Sequence, residues 1–279
     1  NINLKFLSTF KTMQQDTINL KNVSFAYRKD RPILKNITMN VPRGKITAIM
    51  GGSGSGKTTI LRLISGQIQA EHGIVNVFGE NLRNLSAANT HEIRKKLGLL
   101  FQLGALFTDM NVAQNVAFPL QEHSNLPQSF INKVVAMKLE AVGLTGTQDL
   151  MPNQLSGGMA RRVALARAIA LDPELMLYDE PFTGLDPISL NTIAMLIKKL
   201  NTSLKQTAVL VTHDIAATME IADYIYFMAN GEIIAHGTPE EIKSTTNPAV
   251  KQFILGEING TFEYKYPSKL SYQHYLGQA

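Results

Sequence analysis

Apolar and polar positions alternate along TINLKNVSF (17–25), the period of a strand with one buried face. A second run of this kind, ILKNITMNV (33–41), follows a turn at RKDRP (28–32), and PRGK (42–45) makes another turn. KITAIM (45–50) differs: it is short, mostly apolar and stopped by glycine, as a strand buried on both faces is. TTILRLISG (58–66) switches to helical spacing and stops at Gly66. GIVNVFG (73–79) is strand-like between glycines, and HEIRKKLGLLFQ (91–102) reads as a short helix running into a buried strand.

From Leu103 to about Ala170 the spacing is helical, in NVAQNVAFPL, SFINKVVAMKLEAVGL and SGGMARRVALARAIA, with turns at Pro127, Gly143 and Pro152. Buried strands return in ELMLYDE (174–180) and TAVLVTH (207–213), around the amphipathic helix SLNTIAMLIKKLN. DIAATMEIA is a further helix, and PEEIK and PAVKQFILG are short ones. DYIYFMANGEIIAHG (223–237) predicts a hairpin, because Asn230-Gly231 suits a turn with positive φ at both positions. Strands alternating with helices predict an α/β core with a largely parallel sheet, into which the helical block is inserted.

Composition narrows the classes. At 279 residues and 44% hydrophobic, the chain is long enough for one large core. With no cysteine, a disulfide framework and a Cys-ligated metal site are excluded, and a reducing cytosol is the natural compartment. No apolar run reaches the ~18 residues of a membrane span. NINLKFLSTFKT lacks the small-residue cleavage pattern of a secretory signal. Met13 can be a start, with the preceding residues belonging to an upstream leader. The net charge of +5 fits a solvated surface or attraction to anionic lipid headgroups. No block of five or more like charges occurs, so no nucleic-acid partner is expected. Internal repeats and low-complexity tracts are absent from the sequence.

The chemistry begins at Gly51-Gly52-Ser53-Gly54-Ser55-Gly56-Lys57-Thr58, which fits G-x-x-x-x-G-K-[ST] at every fixed position. The motif leaves a buried strand and opens a helix, where open α/β sheets bind ligands. Backbone N–H groups there can cradle phosphates, with Lys57 along the β- and γ-phosphates and the Thr58 hydroxyl on Mg²⁺. Asp179 and Glu180 close the buried strand LMLYDE. Asp179 is placed to hold Mg²⁺ and Glu180 to polarise an attacking water. LSGGM (155–159) supplies a second glycine-rich helix start, again suited to an anion.

Taken together, GGSGSGKT (51–58), LSGGM (155–159), LMLYDE (175–180), GLDP (184–187) and VTHD (211–214) resemble the ordered motif set of ABC ATPases over roughly residues 17–245. The resemblance implies a P-loop, RecA-like α/β core with a mostly parallel sheet, an antiparallel β-subdomain and an inserted α-helical subdomain. It also implies ATP and Mg²⁺ as cofactors and a head-to-tail sandwich with a second copy of the chain. Ser156, Gly157, Gly158 and Met159 of one copy would close on the γ-phosphate held by the other. Gly51 to Thr59 would bind the nucleotide, Tyr27 would stack on adenine, and Asp186 would make contact across the dimer. Gln102 would reach Mg²⁺ and water, and His213 the γ-phosphate. Met159 departs from the glutamine common at that position, which affects one polar contact and leaves the required groups in place.

FQLGALFTDMNVAQNVAFPL (101–120) and LSGGMARRVALARAIALDPELMLYDEPFTGLDP (155–187) are similar to ATPases of MCE-linked lipid transporters, the Mla phospholipid group of Gram-negative envelopes in particular. That resemblance implies a peripheral position on the cytoplasmic face of the inner membrane. The implied partners are a permease (MlaE-like), an MCE-domain protein (MlaD-like) and a STAS-domain subunit (MlaB-like). Residues between Gln102 and Pro119 would receive the permease's coupling helix. A second reading keeps the ATPase and changes the cargo, as in another ABC importer or exporter. A third is a soluble ABC ATPase outside transport. The expected organisation is an N-terminal extension (1–16), an ATP-binding domain (17–255, helical subdomain about 103–170) and a tail (256–279). The tail holds Phe262, Tyr264, Tyr266, Tyr272 and Tyr275, and it is expected to dock on a partner, because tyrosine is favoured at interfaces.

Overall fold

In the computed structural model the described residues are 16–28, 30–102 and 104–261. The aromatic part of the tail and nearly all of the N-terminal extension lie outside them. The chain opens with an antiparallel hairpin, β1 (Asp16–Arg28) and β2 (Arg31–Pro42), and passes through β3 (Ile46–Gly51) into α1 (Lys57–Ile64). It returns in β4 (His72–Val77) and the short β5 (Glu80–Asn81). Helix α2 (Ala87–Lys95) leads into β6 (Leu97–Leu100), followed by helices α3 (Val112–His123), α4 (Gln128–Ala141) and α5 (Gly157–Ala168). Next come β7 (Leu175–Asp179), α6 (Pro187–Leu204), β8 (Thr207–Thr212) and α7 (Ile215–Ile221). The hairpin β9 (Tyr224–Ala229) and β10 (Glu232–Gly237) precedes α8 (Pro239–Lys243) and α9 (Pro248–Leu255).

Among the described residues the strands form an antiparallel sheet in the order β2-β1-β4-β5 and a larger sheet in the order β10-β9-β3-β8-β7-β6. The larger sheet is parallel from β9 to β6, with β10 antiparallel at its edge. This is the mostly parallel α/β core with an antiparallel β-subdomain expected from the motif set. The hairpin turn has positive φ at Asn230 (50°) and Gly231 (81°), the backbone that Asn-Gly favours.

The continuous apolar runs in β3, β7, β8 and β9 follow from burial on two faces. Ala48, Met50, Met176, Tyr178, Leu210 and Phe227 pack on the face shared with α3, α4, α5 and α6. Ile49, Leu177, Val209 and Met228 point the other way, into a cluster with α1 and the antiparallel sheet. Successive residues of one strand therefore serve different cores. No period-2 polar alternation survives in such strands.

Several elements differ from expectation. Helix α2 starts at Ala87, before His91, because the Ser86 hydroxyl caps it by accepting from the Asn89 N–H. Strand β5 is only two residues long, too short for any periodicity to register. The segment after β6 is a loop fixed by buried Asn115. Its amide donates to the carbonyls of Phe107, Met110 and Asn111, and its Oδ1 accepts from the Phe107 N–H. Lys138 of α4 pairs with Asp172 ahead of β7, tying the helices to the sheet. Among the described residues no helix is long and apolar enough to cross a membrane.

Candidate active site

The glycine-rich loop runs from the end of β3 to the start of α1. Helix α1 has no side-chain cap on its N-terminal N–H groups, which leaves them open to an anion. Lys57 curls back over the loop, and its Nζ donates to the carbonyls of Gly51 and Gly52 at 2.9 Å each. Burial lowers the Lys57 pKa, while the carboxylates of Glu180 and Asp179 push it back up. The Ser55 hydroxyl is buried without a hydrogen-bond partner. Such an orphan in a phosphate loop has a use only when a ligand fills the loop.

Glu180 follows directly on β7 and has φ 49°, left-handed backbone that non-glycine residues seldom adopt. Its N–H is anchored on the Val211 carbonyl at 2.8 Å. This backbone accounts for the approach of two consecutive carboxylates to the start of α1, although neighbours in a strand point to opposite faces. Asp179 Oδ1 accepts from the Thr58 hydroxyl at 3.0 Å, and Glu180 Oε1 lies 4.0 Å from Lys57 Nζ. Glu180 Oε2 lies 2.8 Å from His213 Nδ1 and accepts from the Thr183 hydroxyl at 3.4 Å. The strain at Glu180 is of the kind found where a site dictates backbone geometry.

Burial holds the Asp179 carboxyl above its usual range, and the neighbouring Glu180 charge adds to the rise. The Thr58 hydrogen bond, Arg62 and Lys57 oppose it. A carboxyl with a raised folded pKa binds more protons folded than unfolded. Stability therefore falls as pH climbs from the ordinary carboxylate range through the folded value. Asp179→Asn is expected to raise the melting temperature of the nucleotide-free protein at neutral pH and to flatten that fall. Thermal melts across pH measure both effects.

Lys57, Thr58, Glu180 and His213 share a cleft of ≈ 1040 Å³. Gly52, Ser53, Gly54, Gly56, Lys57, Thr58 and Thr59 form its floor, and Gln102, Glu180 and His213 stand on its wall. Tyr27 stands at another part of the rim, 53% exposed, with its ring edge-on to Phe25 at 4.8 Å. Gly51, Ser55 and Asp179 are not among the lining residues. Ser156, Gly157, Gly158, Met159 and Asp186 do not border this cleft. Ser156 caps α5 by accepting from the Met159 N–H, and Met159 packs partly against the core. Asp186 caps α6, and hydrogen bonds from Ser189, first through its side chain, hold the Asp186 carboxyl below its usual range.

Sequence reasoning missed several contributors. Arg62 donates to the Tyr27 hydroxyl at 3.0 Å. It lies four residues after Thr58, on the same face of α1, so helical spacing could have found it. Thr183 sits in the turn after Glu180, where no periodicity applies. Phe253, Gly256, Glu257 and Ile258, at and beyond the end of α9, border the cleft, and no local signal places them there.

Comparison with known proteins agrees with this geometry. The sequence model of the ABC transporter family matches residues 34–183. The chain is 51% identical over 257 residues to the intermembrane phospholipid transport system ATP-binding protein MlaF of Haemophilus influenzae, covering 92% of this chain and 97% of that protein. It is 50% identical to the protein of the same name from Escherichia coli K12, covering 92% and 96%. Among solved structures it is similar to the dimeric ATP-binding cassette MJ0796 in a post-hydrolysis state bound to ADP and Pi. That similarity has a TM-score of 0.73 and 32% identity, covering 80% of this chain and 98% of that one.

Proposed function

The chain belongs to the ABC transporter family of ATP-binding proteins, and from that premise we infer that it is the ATP-hydrolysing subunit of a transporter that moves phospholipids between membranes. One observation carries the hydrolysis: Glu180 stands on the cleft wall between Lys57, Thr183 and His213, directly after Asp179. The cargo is read from the MlaF relatives, nearly the whole of whose length the chain spans.

The chemistry follows from the groups present. Loop N–H groups and Lys57 bind the triphosphate and neutralise its charge. Glu180 accepts a proton from, and orients, the attacking water. His213 fixes the Glu180 carboxylate by donating to it from Nδ1. Gln102 borders the same space. Thr58 and Asp179 offer hard oxygen donors 3.0 Å apart, which suits Mg²⁺ completing its shell with water and phosphate oxygens. When bound, the cation supplies charge neutralisation on the phosphates. Tyr27 offers a face to the adenine, edged by Phe25 and tethered by Arg62.

A second copy supplies the other half of each site. A Cβ at Gly157 would meet nothing within 4 Å in this chain, so no internal contact demands glycine there. An approaching phosphate does demand it. The dimeric MJ0796 cassette bound to ADP and Pi supports a dimer. The helices between about 103 and 170 would carry Ser156, Gly157 and Gly158 toward the partner and would face an MlaE-like permease. An MCE-domain (MlaD-like) protein and a STAS-domain (MlaB-like) subunit would complete the complex, at the cytoplasmic face of the inner membrane.

Affinity purification of the tagged chain from its native membranes, followed by mass spectrometry of proteins and lipids, tests the assignment. A permease, an MCE-domain protein and bound phospholipid are expected. A different permease would discard the lipid cargo and keep the ATPase. Recovery without any membrane protein would discard transport.

A further inference from the structure

Arg161 lies on α5, five residues past Ser156, and is 6% exposed. No ion pair among the described residues includes it. Its guanidinium instead donates to main-chain carbonyls: those of Phe101 and Gln102 through Nη1, and that of Thr183 at 3.1 Å through Nη2. Burial lowers its pKa from the ordinary arginine value, the cost of holding a cation against carbonyl dipoles alone. The acceptors belong to two loops from two different strands. One loop leaves β6 and carries Gln102. The other leaves β7, and its Thr183 hydroxyl donates to the Glu180 carboxylate. Further along the same helix, Arg167 takes the carbonyls of Gly104 and Ala105 at 2.8 and 2.9 Å. The loop after β6 is thus gripped by α5 on both sides of residue 103.

We propose that Arg161 is a positioning residue for ATP hydrolysis: its planar fork holds Gln102 and Thr183, and through Thr183 the carboxylate of Glu180, in register with the signature helix. Helix α5 begins at Ser156 and Gly157, the groups read above as reaching the partner's nucleotide. Any shift of α5 on dimer closure is therefore delivered directly to both flanks of the attacking water. Lysine cannot substitute, because a single ammonium lacks the rigid fork that reaches separate acceptors. The inference rests on the reading of Gln102 and Glu180 as hydrolytic groups.

The test uses the full-length chain with Arg161→Lys and Arg161→Gln, measuring the melting temperature, ATP affinity and steady-state phosphate release. Expected is a fall in kcat of ~10-fold for Lys and ~100-fold for Gln, the scale of a misplaced catalytic group, with ATP affinity unchanged. Thr183→Val should lower kcat in the same direction. Its effect should be less than multiplicative with that of Arg161→Lys, since both act through Glu180. A kcat that is unchanged, or that falls only in proportion to ATP affinity or folded fraction, would overturn the proposal. If the Arg161 variants do not fold, Thr183→Val decides the Glu180 arm by itself: an unchanged kcat sinks it. Glu180→Gln separates the layers. If that variant hydrolyses ATP normally, the hydrolytic reading fails; if it is slow while Arg161→Lys is not, only the positioning role fails.

Discussion

Glu180→Gln is expected to keep ATP binding while steady-state hydrolysis falls by about 10²-fold or more, the loss that follows removal of a positioned general base. The carboxamide matches the carboxylate in shape and can still accept from His213 and Thr183, so the wall of the cleft survives. It cannot take a proton from water. It also removes the negative charge 4.0 Å from Lys57 Nζ, one of two charges that hold the Lys57 pKa up against burial. Lys57 remains cationic with Asp179 still present, so triphosphate binding persists. With binding intact and turnover slow, ATP-bound dimers should accumulate. Phosphate release and size-exclusion chromatography with ATP and Mg²⁺ provide the measurements. A wild-type rate would remove Glu180 from the mechanism.

Gly51→Ala is expected to abolish nucleotide binding and to destabilise the fold by about 3 kcal/mol or more, from backbone strain together with overpacking. Gly51 has φ +144°, and a Cβ there would lie 2.1 Å from the carbonyl oxygen of Met228 and 3.1 Å from Ser55 Oγ. Met228 is the β9 partner of Gly51 in the sheet register, so the obstacle is a neighbouring backbone and no rotamer change can clear it. Either β3 separates from β9 or the loop rotates away from α1. Both movements displace the carbonyls that Lys57 Nζ holds at 2.9 Å. A fall in melting temperature of ~5 °C or more is expected for a chain of this size. Gly54→Ala is the control for loss of a loop glycine without that clash: nothing lies within 4 Å of its Cβ position, although its φ of +77° leaves conformational strain. Equal destabilisation by the two substitutions would show that the close approach to β9 is not the cause.

The phosphate loop was legible in the sequence because its function demands glycine, lysine and a hydroxyl residue at fixed spacing between a buried strand and a helix. Asp179 and Glu180 were legible as acids closing an apolar run. How they face one space was not, since it depends on a left-handed backbone at Glu180 that no residue preference announces. The Asn230-Gly231 hairpin was readable for the opposite reason, because its dihedrals are a local property of those two residues. Tyr27, Gln102 and His213 were identified through resemblance to ABC ATPases. Only the folded chain brings them to one cleft. Arg161, lying in a run of helix formers, carried no sign of its three carbonyl partners. Those partners are 22 to 60 residues away along the chain.

The sequence alone therefore determined the α/β class, the family and the triphosphate chemistry, because each is written in local spacing: period 2, period 3.6 and fixed-offset motifs. The tertiary structure decided the rest. It set which carboxylate meets Lys57, which helix grips the loop carrying Gln102, and that the end of α9 borders the nucleotide cleft. These are contacts between distant segments, fixed by how two apolar faces of one sheet are covered, and no window along the chain contains them.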